Sequence, residues 1–279
     1  MRKARIKDDG ECWYHIVSRT AFQEFKFTDE AKDMFVAMLR RVAYFSGIDV
    51  LNHCVMSNHF HVLVHVRRKG EITEEELLRR VAALYGADNA EELRTRWEDM
   101  RKRKMLKRIE EEQEAFTRRM GDISPFMKCL KQRYSVWFRH NCGMFAGTLW
   151  EGRFKSVLVE GGEYLRAVVR YIHGNPVRAG MVRRAEDCEW TALGAAARGD
   201  AFAQKGLSLI GMEGLSPAGG GRDRRLSNGV VIGSRGFVER MGEALSARFW
   251  PGRRRILAFS HGGTDLFSTH GQRSGPKAS

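Results

Sequence analysis

The chain has 279 residues, of which 43% are hydrophobic, 10% aromatic and 29% charged. This composition is typical of a globular protein with a sizeable core, and it excludes collagen-like and wholly disordered chains. The 48 lysines and arginines outnumber the 34 acidic residues, so the formal net charge is +14. Such a surplus indicates a polyanionic partner, and nucleic acid is the commonest one.

The five cysteines are far apart in the sequence, are odd in number and include no C-x-x-C pair. This pattern suits neither a disulfide framework nor a structural zinc site, and we expect a protein of the reducing cytosol. No run approaches the roughly 18 apolar residues of a membrane span, and the first residues form no apolar signal region. We therefore expect neither secretion nor membrane insertion.

The first third of the chain predicts the element order β-α-β-β. Residues 12–19 are rich in aromatic and β-branched residues and indicate a strand. Apolar residues at helical spacing, with Thr28 as the cap, predict a helix that ends near Gly47. Residues 48–56 and 59–67 are two further strands, separated by a turn in which Asn58 tolerates a positive φ.

A long charged segment follows, at about residues 74–120, and we interpret it as a helical insertion. Its charges suit a solvated helical surface with ion pairs between neighbouring turns, and a dedicated DNA-binding stripe is the alternative. An amphipathic helix is then predicted at 122–139 and a strand at 153–160. Another helix starts at Glu163 and is expected to stop before Pro176, because the residue that precedes a proline avoids the helical conformation.

We divide the chain into residues 1–192, which carry the insertion, and a C-terminal extension at 193–260. The extension begins with a Gly-, Ser- and Pro-rich linker at about 211–221 and includes one short helix at 237–249. Residues 261–279 are rich in Gly, Ser and Thr, and we expect them to be disordered.

The strand at 59–66 combines an apolar face with a face of histidines. Phe60, Val62 and Val64 point one way, whereas His59 and His61 point the other, because side chains alternate along a strand. Two imidazoles at this spacing are within reach of one divalent ion. Standing alone, an H-x-H pair is more often two ordinary half-buried histidines than a metal site.

A later segment, R-Y-I-H-G-N-P-V-R-A-G at residues 170–180, adds the chemistry that two histidines lack. Tyr171 and Asn175 are four residues apart and would share a helix face. The Asn175 amide offers a neutral oxygen ligand, and the Tyr171 hydroxyl is a nucleophile that can attack a phosphodiester beside a bound metal. The alternative is a core aromatic and an ordinary residue near the end of the helix.

Four segments resemble the REP-associated tyrosine transposases, a family within the single-tyrosine HUH transposases of insertion sequences. The segments are W-Y-H-I-V-S-R at 13–19, N-H-C-V-M-S-N-H-F-H-V-L-V at 52–64, L-W-E-G-R-F-K-S at 149–156 and Y-L-R-A-V-V-R-Y-I-H-G-N-P-V-R-A-G-M-V at 164–182. The resemblance covers about residues 5–192. It leaves the insertion and the C-terminal tail unmatched.

The resemblance implies that His59 and His61 are the metal ligands of an HUH motif and that Tyr171 is the catalytic nucleophile. Asn175 occupies the place of the third ligand, which is carried by a helix in this class. His173 and His65 are possible substitutes for it. With two histidines, one oxygen ligand and a phosphate substrate, Mg²⁺ or Mn²⁺ is the expected ion, although the two histidines would also accept zinc.

Cations near these motifs are candidates for binding DNA phosphates, with surface solubility as the alternative for each. They are Arg153, Lys155, Arg170 and Arg178. Trp150 and Phe154 could stack on unpaired bases, although core packing is the commoner role. The N-terminal Arg2, Lys3 and Arg5 and the later Arg253, Arg254 and Arg255 are further candidates for DNA contact.

The predicted fold is α+β, with a ferredoxin-like antiparallel sheet covered by helices on one face. The predicted function is a transposase that cuts single-stranded or hairpin DNA through a 5′-phosphotyrosine and rejoins it, in the bacterial cytosol and associated with the nucleoid. A domesticated protein that binds DNA hairpins without cutting them is the first alternative, and a metal-dependent hydrolase that activates water is the second. A monomer and a homodimer are both compatible with the sequence.

Overall fold

The structure is a computed structural model that describes residues 10–21, 27–68, 70–143, 147–212, 223, 225–249, 255–261 and 263–270. Its strands are β1 (Cys12–Arg19), β2 (Ile48–Val55), β3 (His59–Val66), β4 (Lys155–Val159), β5 (Val231–Gly233), β6 (Arg255–His261) and β7 (Thr264–His270). Its longer helices are α1 (Asp29–Ser46), α2 (Glu74–Tyr85), α3 (Ala87–Lys102), α4 (Leu106–Thr117), α5 (Ile123–Asn141) and α6 (Glu163–Arg178). The later helices are α7 (Ala192–Ala197), α8 (Ala201–Ser208), α9 (Arg225–Asn228) and α10 (Arg235–Phe249).

The chain divides into two compact units. The sheet unit comprises residues 1–26, 51–64 and 150–279, and the helical unit comprises residues 27–50 and 65–149. No described helix has the length and apolar character needed to cross a membrane. The N-terminal residues 2, 3 and 5 and the later residues 253 and 254, which the sequence offers as DNA contacts, lie outside the described residues, as does the side chain of Arg255.

A seven-stranded sheet has the order β2-β3-β1-β4-β5-β7-β6. Its first four strands place β1 between β3 and β4 and away from its sequence neighbour β2, which is the split arrangement of a ferredoxin-like sheet. Strand β4 pairs antiparallel with β1, with Trp13 opposite Val159 and Val17 opposite Lys155. The predicted α+β class and the position of the histidine strand β3 inside the sheet are therefore confirmed.

Helix α6 supplies the apolar residues that cover one face of this sheet. Its side chains pack in one buried cluster with residues of six sheet strands, namely Leu51, Leu63, Val157, Ile232, Phe259 and Leu266. The helix contributes Leu165, Ala167, Val168, Val169, Tyr171 and Ile172 to that cluster. Tyr171 is therefore held on a helix whose position is fixed by core packing.

The prediction that this helix ends before Pro176 is wrong, because α6 continues to Arg178. Proline removes one backbone donor from the last turn, but the following turn is still closed, with Ala179 N donating to Asn175 O at 3.0 Å. The Arg178 guanidinium also donates to the carbonyl of Tyr171 at 2.6 Å. Burial of α6 outweighs the local preference of the residue before proline, and Asn175 is consequently helical.

The prediction of a disordered tail from residue 261 is wrong for residues 264–270, which form β7. This strand pairs antiparallel with β6 from Arg255 opposite His270 to His261 opposite Thr264, and it also pairs with β5. Leu266 and Ser268 are fully buried. The polar composition was misleading because one face of the strand packs inward. Residues 271–279 and residues 213–221 of the predicted linker lie outside the described residues.

In the helical unit, the predicted helix boundaries are largely confirmed. The Thr28 hydroxyl accepts a hydrogen bond from Ala31 N at 3.3 Å and caps the start of α1, and Gly47, with φ 62°, caps its end. Glycine is suited to this left-handed position because it has no Cβ. Asp122 caps α5 by accepting from Ser124 N at 2.7 Å. These caps set the start of each helix and so the face that each buries.

The charged segment at about 74–120 is helical, as predicted, and forms α2, α3 and α4. Its arginines are largely paired with carboxylates, as in Arg79 with Glu76, Arg96 with Glu112 and Arg103 with Asp99. Trp97 is fully buried and donates to Glu112 at 2.9 Å. These contacts favour the interpretation as an ion-paired helical surface with its own small core.

Candidate active site

Two histidines of β3 lie next to each other on one face of the sheet. His59 and His61 are two residues apart, so their side chains point the same way, and their ring centroids are 5.1 Å apart. His61 is buried and His59 is half-buried. The structure thus gives the two imidazoles the juxtaposition that the strand alternation predicts.

The ring of His15, on the neighbouring strand β1, fixes the tautomer of His61. His15 Nδ1 lies 2.6 Å from the carbonyl oxygen of Leu226, and His15 Nε2 lies 2.9 Å from His61 Nδ1. Because a carbonyl only accepts, His15 donates from Nδ1 and, when neutral, accepts at Nε2. His61 must then donate from its own Nδ1. Its other nitrogen, Nε2, carries a lone pair and has no hydrogen-bond partner among the described residues, although it is buried.

Asn58 orients the second histidine in the same way. His59 Nδ1 lies 2.7 Å from the Oδ1 atom of Asn58 and donates to it. The lone pair of the His59 ring is therefore on Nε2, as in His61. The turn itself differs from the prediction, because Asn58 does not have a positive φ. Instead its carbonyl accepts from the backbone N–H of Thr20 at 2.9 Å, which anchors the turn to the end of β1.

Burial keeps the inner histidines neutral. Desolvation lowers the pKa of His15 from 6.5 to about 4, although the Leu226 carbonyl acts in the opposite direction. Desolvation also lowers the pKa of His61 well below its usual value, and the charges of His15, His59, Arg19 and Arg178 add to this effect. A neutral imidazole is the form that binds a metal ion.

Sequence reasoning did not single out His15, and it selected Asn58 only as a turn residue. The sequence does contain a sign that His15 is functional. It is a polar residue within the apolar run of β1, where the neighbouring residues indicate that its side chain is buried. Its partner Leu226 is 211 residues away, in the C-terminal extension. No local pattern connects two positions so distant in the sequence.

The ring of Tyr171 lies among three histidines. Its centroid is 5.9 Å from that of His61, 6.0 Å from that of His15 and 5.9 Å from that of His261 on β6. Tyr171 is 4% exposed. In the described part of the chain, no side chain is hydrogen-bonded to its phenol oxygen. The structure therefore brings together the strand histidines and the helix tyrosine that the sequence selects.

Arg178 links Tyr171 to Asn175. Its guanidinium lies 5.0 Å from the centroid of the Tyr171 ring and donates to Asn175 Oδ1 at 2.8 Å. The Asn175 Nδ2 atom is buried and has no hydrogen-bond partner among the described residues. Asn175 is thus on the same helix face as Tyr171, one turn later, but its amide oxygen already accepts from a cation.

The comparisons with known proteins relate this chain to transposases. The family model described as "Transposase IS200 like" matches residues 9–109. The match covers little more than a third of the chain. This finding confirms the sequence resemblance at the level of the transposase family. A search of curated proteins finds no match.

Two solved structures similar to the chain are also transposases. A REP-associated tyrosine transposase bound to a REP hairpin has 18% sequence identity and a TM-score of 0.43, with 71% of this chain and 86% of that chain covered. A transposase described as putative from Deinococcus radiodurans has 18% identity and a TM-score of 0.30, with 60% of this chain and 91% of that chain covered.

The IS200-like region supplies only part of the site. His15, Asn58, His59 and His61 lie within the matched residues 9–109. Tyr171, Asn175 and Arg178 on α6, and Leu226 and His261 in the C-terminal extension, lie beyond them. The C-terminal extension therefore completes the surroundings of the histidine pair.

The site provides two of the nitrogen ligands that a divalent ion could use. His59 and His61 present two imidazoles on one face of the sheet, and the buried Nε2 of His61 has no hydrogen-bond partner among the described residues. Within those residues, no cluster of three His, Cys, Asp or Glu side chains could hold a metal. Among the described residues, Asn175 is the oxygen ligand that the sequence selects, and its Oδ1 atom accepts from Arg178 at 2.8 Å.

The two substitute histidines have other partners. His173 Nε2 lies 3.0 Å from Asn52 Nδ2 on β2, and His173 is fully buried. His65 Nδ1 lies 3.6 Å from Asp49 Oδ2. These contacts favour structural roles for both residues.

The four cations selected from the sequence lie at two different places in the structure. Arg178 contacts the Tyr171 ring, whereas Arg170 is half-buried one residue before that tyrosine. Arg153 and Lys155 are exposed and line a small cleft of about 160 Å³ with Ser18 and Arg19. Trp150 is buried and packs edge-on against Phe60. Arg153 and Lys155 remain candidates for contact with DNA, whereas Trp150 is a core residue.

Proposed function

We propose that this protein is a REP-associated tyrosine transposase that cuts and rejoins single-stranded DNA near hairpin repeats. The observation that carries the proposal is the position of the Tyr171 ring, 5.9 Å from His61, whose buried Nε2 faces no hydrogen-bond donor of the described residues. A nucleophile next to an oriented pair of imidazoles suits phosphodiester transfer.

In the proposed reaction, the phenol oxygen of Tyr171 attacks a backbone phosphorus atom as the phenol loses its proton. A new P–O bond forms to the tyrosine, and the bond from phosphorus to the 3′ oxygen of the preceding nucleotide breaks. That oxygen takes up a proton and leaves as a 3′ hydroxyl, and the DNA remains attached as a 5′-phosphotyrosine. Attack by a 3′ hydroxyl reverses these changes and rejoins the strand, with no net change in bond number.

His59 and His61 would hold Mg²⁺ or Mn²⁺ through Nε2, with Asn175 as the proposed third ligand. A bound divalent ion supplies a Lewis acid that polarises the scissile phosphate. Asn58 and His15 keep the two rings in the ligating tautomer. Arg178, next to the Tyr171 ring, would attract the phosphate and stabilise negative charge on the phenol oxygen.

The test uses a labelled single-stranded DNA with one hairpin and single-stranded flanks, incubated with the protein and Mn²⁺. We expect a covalent protein–DNA band on a denaturing gel. Tyr171→Phe should abolish this band and retain DNA binding, whereas Tyr164→Phe, a control on the same helix, should retain it. His59→Ala combined with His61→Ala should remove cleavage that depends on the metal.

An adduct that persists in Tyr171→Phe would contradict the assignment of the nucleophile. Full cleavage in the presence of a chelator would contradict the metal role. Release of two DNA fragments with no covalent species at any time would favour hydrolysis by activated water instead.

A second candidate function is hairpin binding without cleavage. Burial of Tyr171, which is 4% exposed and packs against His261, favours it, because a buried phenol is poorly placed to meet a backbone phosphate. Retention of His59, His61, Tyr171 and Asn175 favours cleavage, since a binding protein has no chemical need of all four. If the protein binds the DNA hairpin but cuts no strand in the presence of any divalent ion, the second candidate function is the correct one.

A further inference from the structure

A basic groove lies within the helical unit. It has a volume of about 780 Å³ and is formed along α5, at the end of α2 and directly after α4. Its wall includes the cations Arg118, Arg119, Lys128 and Arg133 and the aromatic residues Tyr85 and Trp137. No aspartate or glutamate is among the residues that line it.

The cations of the basic groove have no carboxylate partner in the part of the chain that the structure describes. Elsewhere on the neighbouring helices, arginines have acidic partners, as in Arg80 with Glu76 and Arg101 with Glu74. Four cations around one concavity repel one another, and an anion in the groove would relieve that repulsion.

Two of the guanidinium groups are held in place by aromatic rings. Arg119 lies 5.0 Å from the centroid of Phe45 and donates to the Tyr85 hydroxyl at 2.7 Å. Arg133 lies 4.8 Å from the centroid of the Tyr85 ring. A guanidinium on an aromatic face is pre-organised, so less side-chain entropy is lost when it binds phosphate.

The groove also offers an aromatic surface. Trp137 is half-buried in its wall, beside the exposed Val136. Proteins that bind unpaired DNA combine a positively charged groove with aromatic side chains on which bases stack. A duplex is instead contacted by a convex element that enters one of its grooves. The concave shape therefore favours an unpaired strand.

We propose that the basic groove binds single-stranded DNA, with backbone phosphates at Arg118, Arg119, Lys128 and Arg133 and a base against Trp137. This inference rests on the proposed function, because it assigns the groove to unpaired DNA next to the hairpin. The groove lies in the helical unit and takes no part in the chemistry at Tyr171.

The test compares two double variants that carry the same charge change. Arg118→Glu with Lys128→Glu alters two exposed groove cations, and Arg94→Glu with Lys107→Glu alters exposed cations of α3 and α4 outside the groove. Both variants carry Tyr171→Phe, so that binding is measured without cleavage. The probes are labelled oligothymidylate and a labelled blunt DNA hairpin with no single-stranded extension. Fluorescence anisotropy measures the affinity of each variant for each probe at several salt concentrations.

We expect the groove variant to bind oligothymidylate at least about 10-fold more weakly than the parent protein. The slope of the logarithm of the binding constant against the logarithm of the salt concentration should become less steep by about 1.4, which corresponds to the loss of two phosphate contacts on a single strand. The control variant should stay within about 3-fold of the parent, and hairpin affinity should be alike in both variants. Equal losses in the two variants, or a loss confined to the hairpin, would overturn the inference.

A measurement on the parent protein does not depend on how the variants fold. Cys129 lines the groove, whereas Cys142 is outside it, and both are free and partly exposed thiols. Oligothymidylate should slow alkylation of Cys129 and leave that of Cys142 unchanged, as followed by mass spectrometry. Equal rates with and without DNA would overturn the inference.

The results separate the groove from the cleavage chemistry. Protection of Cys129 with no covalent adduct would contradict the proposed cleavage and support the groove. An adduct at Tyr171 with no protection of Cys129 would contradict the groove and support the cleavage.

Discussion

At the scale of single residues, the site depends on which nitrogen of each histidine carries the proton. The Leu226 carbonyl fixes the proton of His15, and His15 in turn fixes that of His61. Asn58 does the same for His59. Both rings are thereby left with a lone pair on Nε2, which makes His15 and Asn58 positioning residues for the proposed metal site.

Replacement of His15 tests this role. His15→Phe keeps an aromatic ring of similar size in the sheet but removes both hydrogen bonds, so the His61 ring can adopt either tautomer. We expect the affinity for Mn²⁺ to fall by about 10-fold to 100-fold, as is usual when the partner of a metal-bound histidine is lost. Isothermal titration calorimetry measures this affinity.

The control for that experiment is His65→Phe, on the same strand as His61 but paired with Asp49. It should bind Mn²⁺ like the wild type. Wild-type affinity in His15→Phe, with an intact fold by circular dichroism, would show that His15 does not orient the ligand.

At the scale of secondary-structure elements, the carboxylate of Asp49, the second residue of β2, joins this strand to the end of β3. Asp49 lies 3.6 Å from His65 and accepts from Arg67 Nε at 2.6 Å. His65 first, and then Arg67, hold the pKa of Asp49 below its ordinary 3.8, although partial burial acts in the opposite direction. The carboxylate is therefore more acidic in the folded protein than in the unfolded chain.

A pH dependence of stability follows from this shift. The stabilisation by ionised Asp49 should be fully present above the unfolded pKa of 3.8 and be lost as the pH falls through the lower folded value. Urea unfolding between pH 5 and pH 2 measures it. Asp49→Asn should lose stability at pH 5 and show a weaker decline towards acid. Parallel curves for the two proteins would contradict a depressed Asp49 pKa.

At the scale of the whole molecule, the C-terminal strands are part of the sheet rather than an appendage. Strand β7 pairs with both β5 and β6, and β5 continues the sheet from β4. Leu266 of β7 is fully buried and belongs to the same core cluster as Tyr171. The extension beyond the IS200-like region therefore contributes to the folding of the unit that holds the site.

Truncation of Leu266 measures that contribution. Leu266→Ala should lower the free energy of unfolding by about 2–5 kcal/mol, as is typical for a buried leucine. Leu209→Ala, at a position that is 46% exposed, should change it by less than about 0.5 kcal/mol. If chemical denaturation shows equal and small effects for both variants, residues 264–270 do not contribute to the core, as their composition alone suggests.

Local patterns in the sequence predicted much of this fold. Strand alternation placed His59 and His61 on one face, and helical periodicity with a capping Thr28 predicted α1. Two predictions failed where tertiary packing decides the outcome: α6 continues through Pro176 because it is buried, and β7 forms because β6 and β5 pair with it. The His15–Leu226 contact spans 211 residues and was beyond any local pattern.

The central claim is that Tyr171 and the histidine pair act at one phosphodiester bond. The most direct measurement is tandem mass spectrometry of the protein after incubation with single-stranded hairpin DNA and Mn²⁺, followed by nuclease and protease digestion. The account predicts one nucleotide-bearing peptide, modified at Tyr171 and absent from the His59→Ala, His61→Ala variant. A modification at another tyrosine, or cleaved DNA with no modified peptide, would contradict it.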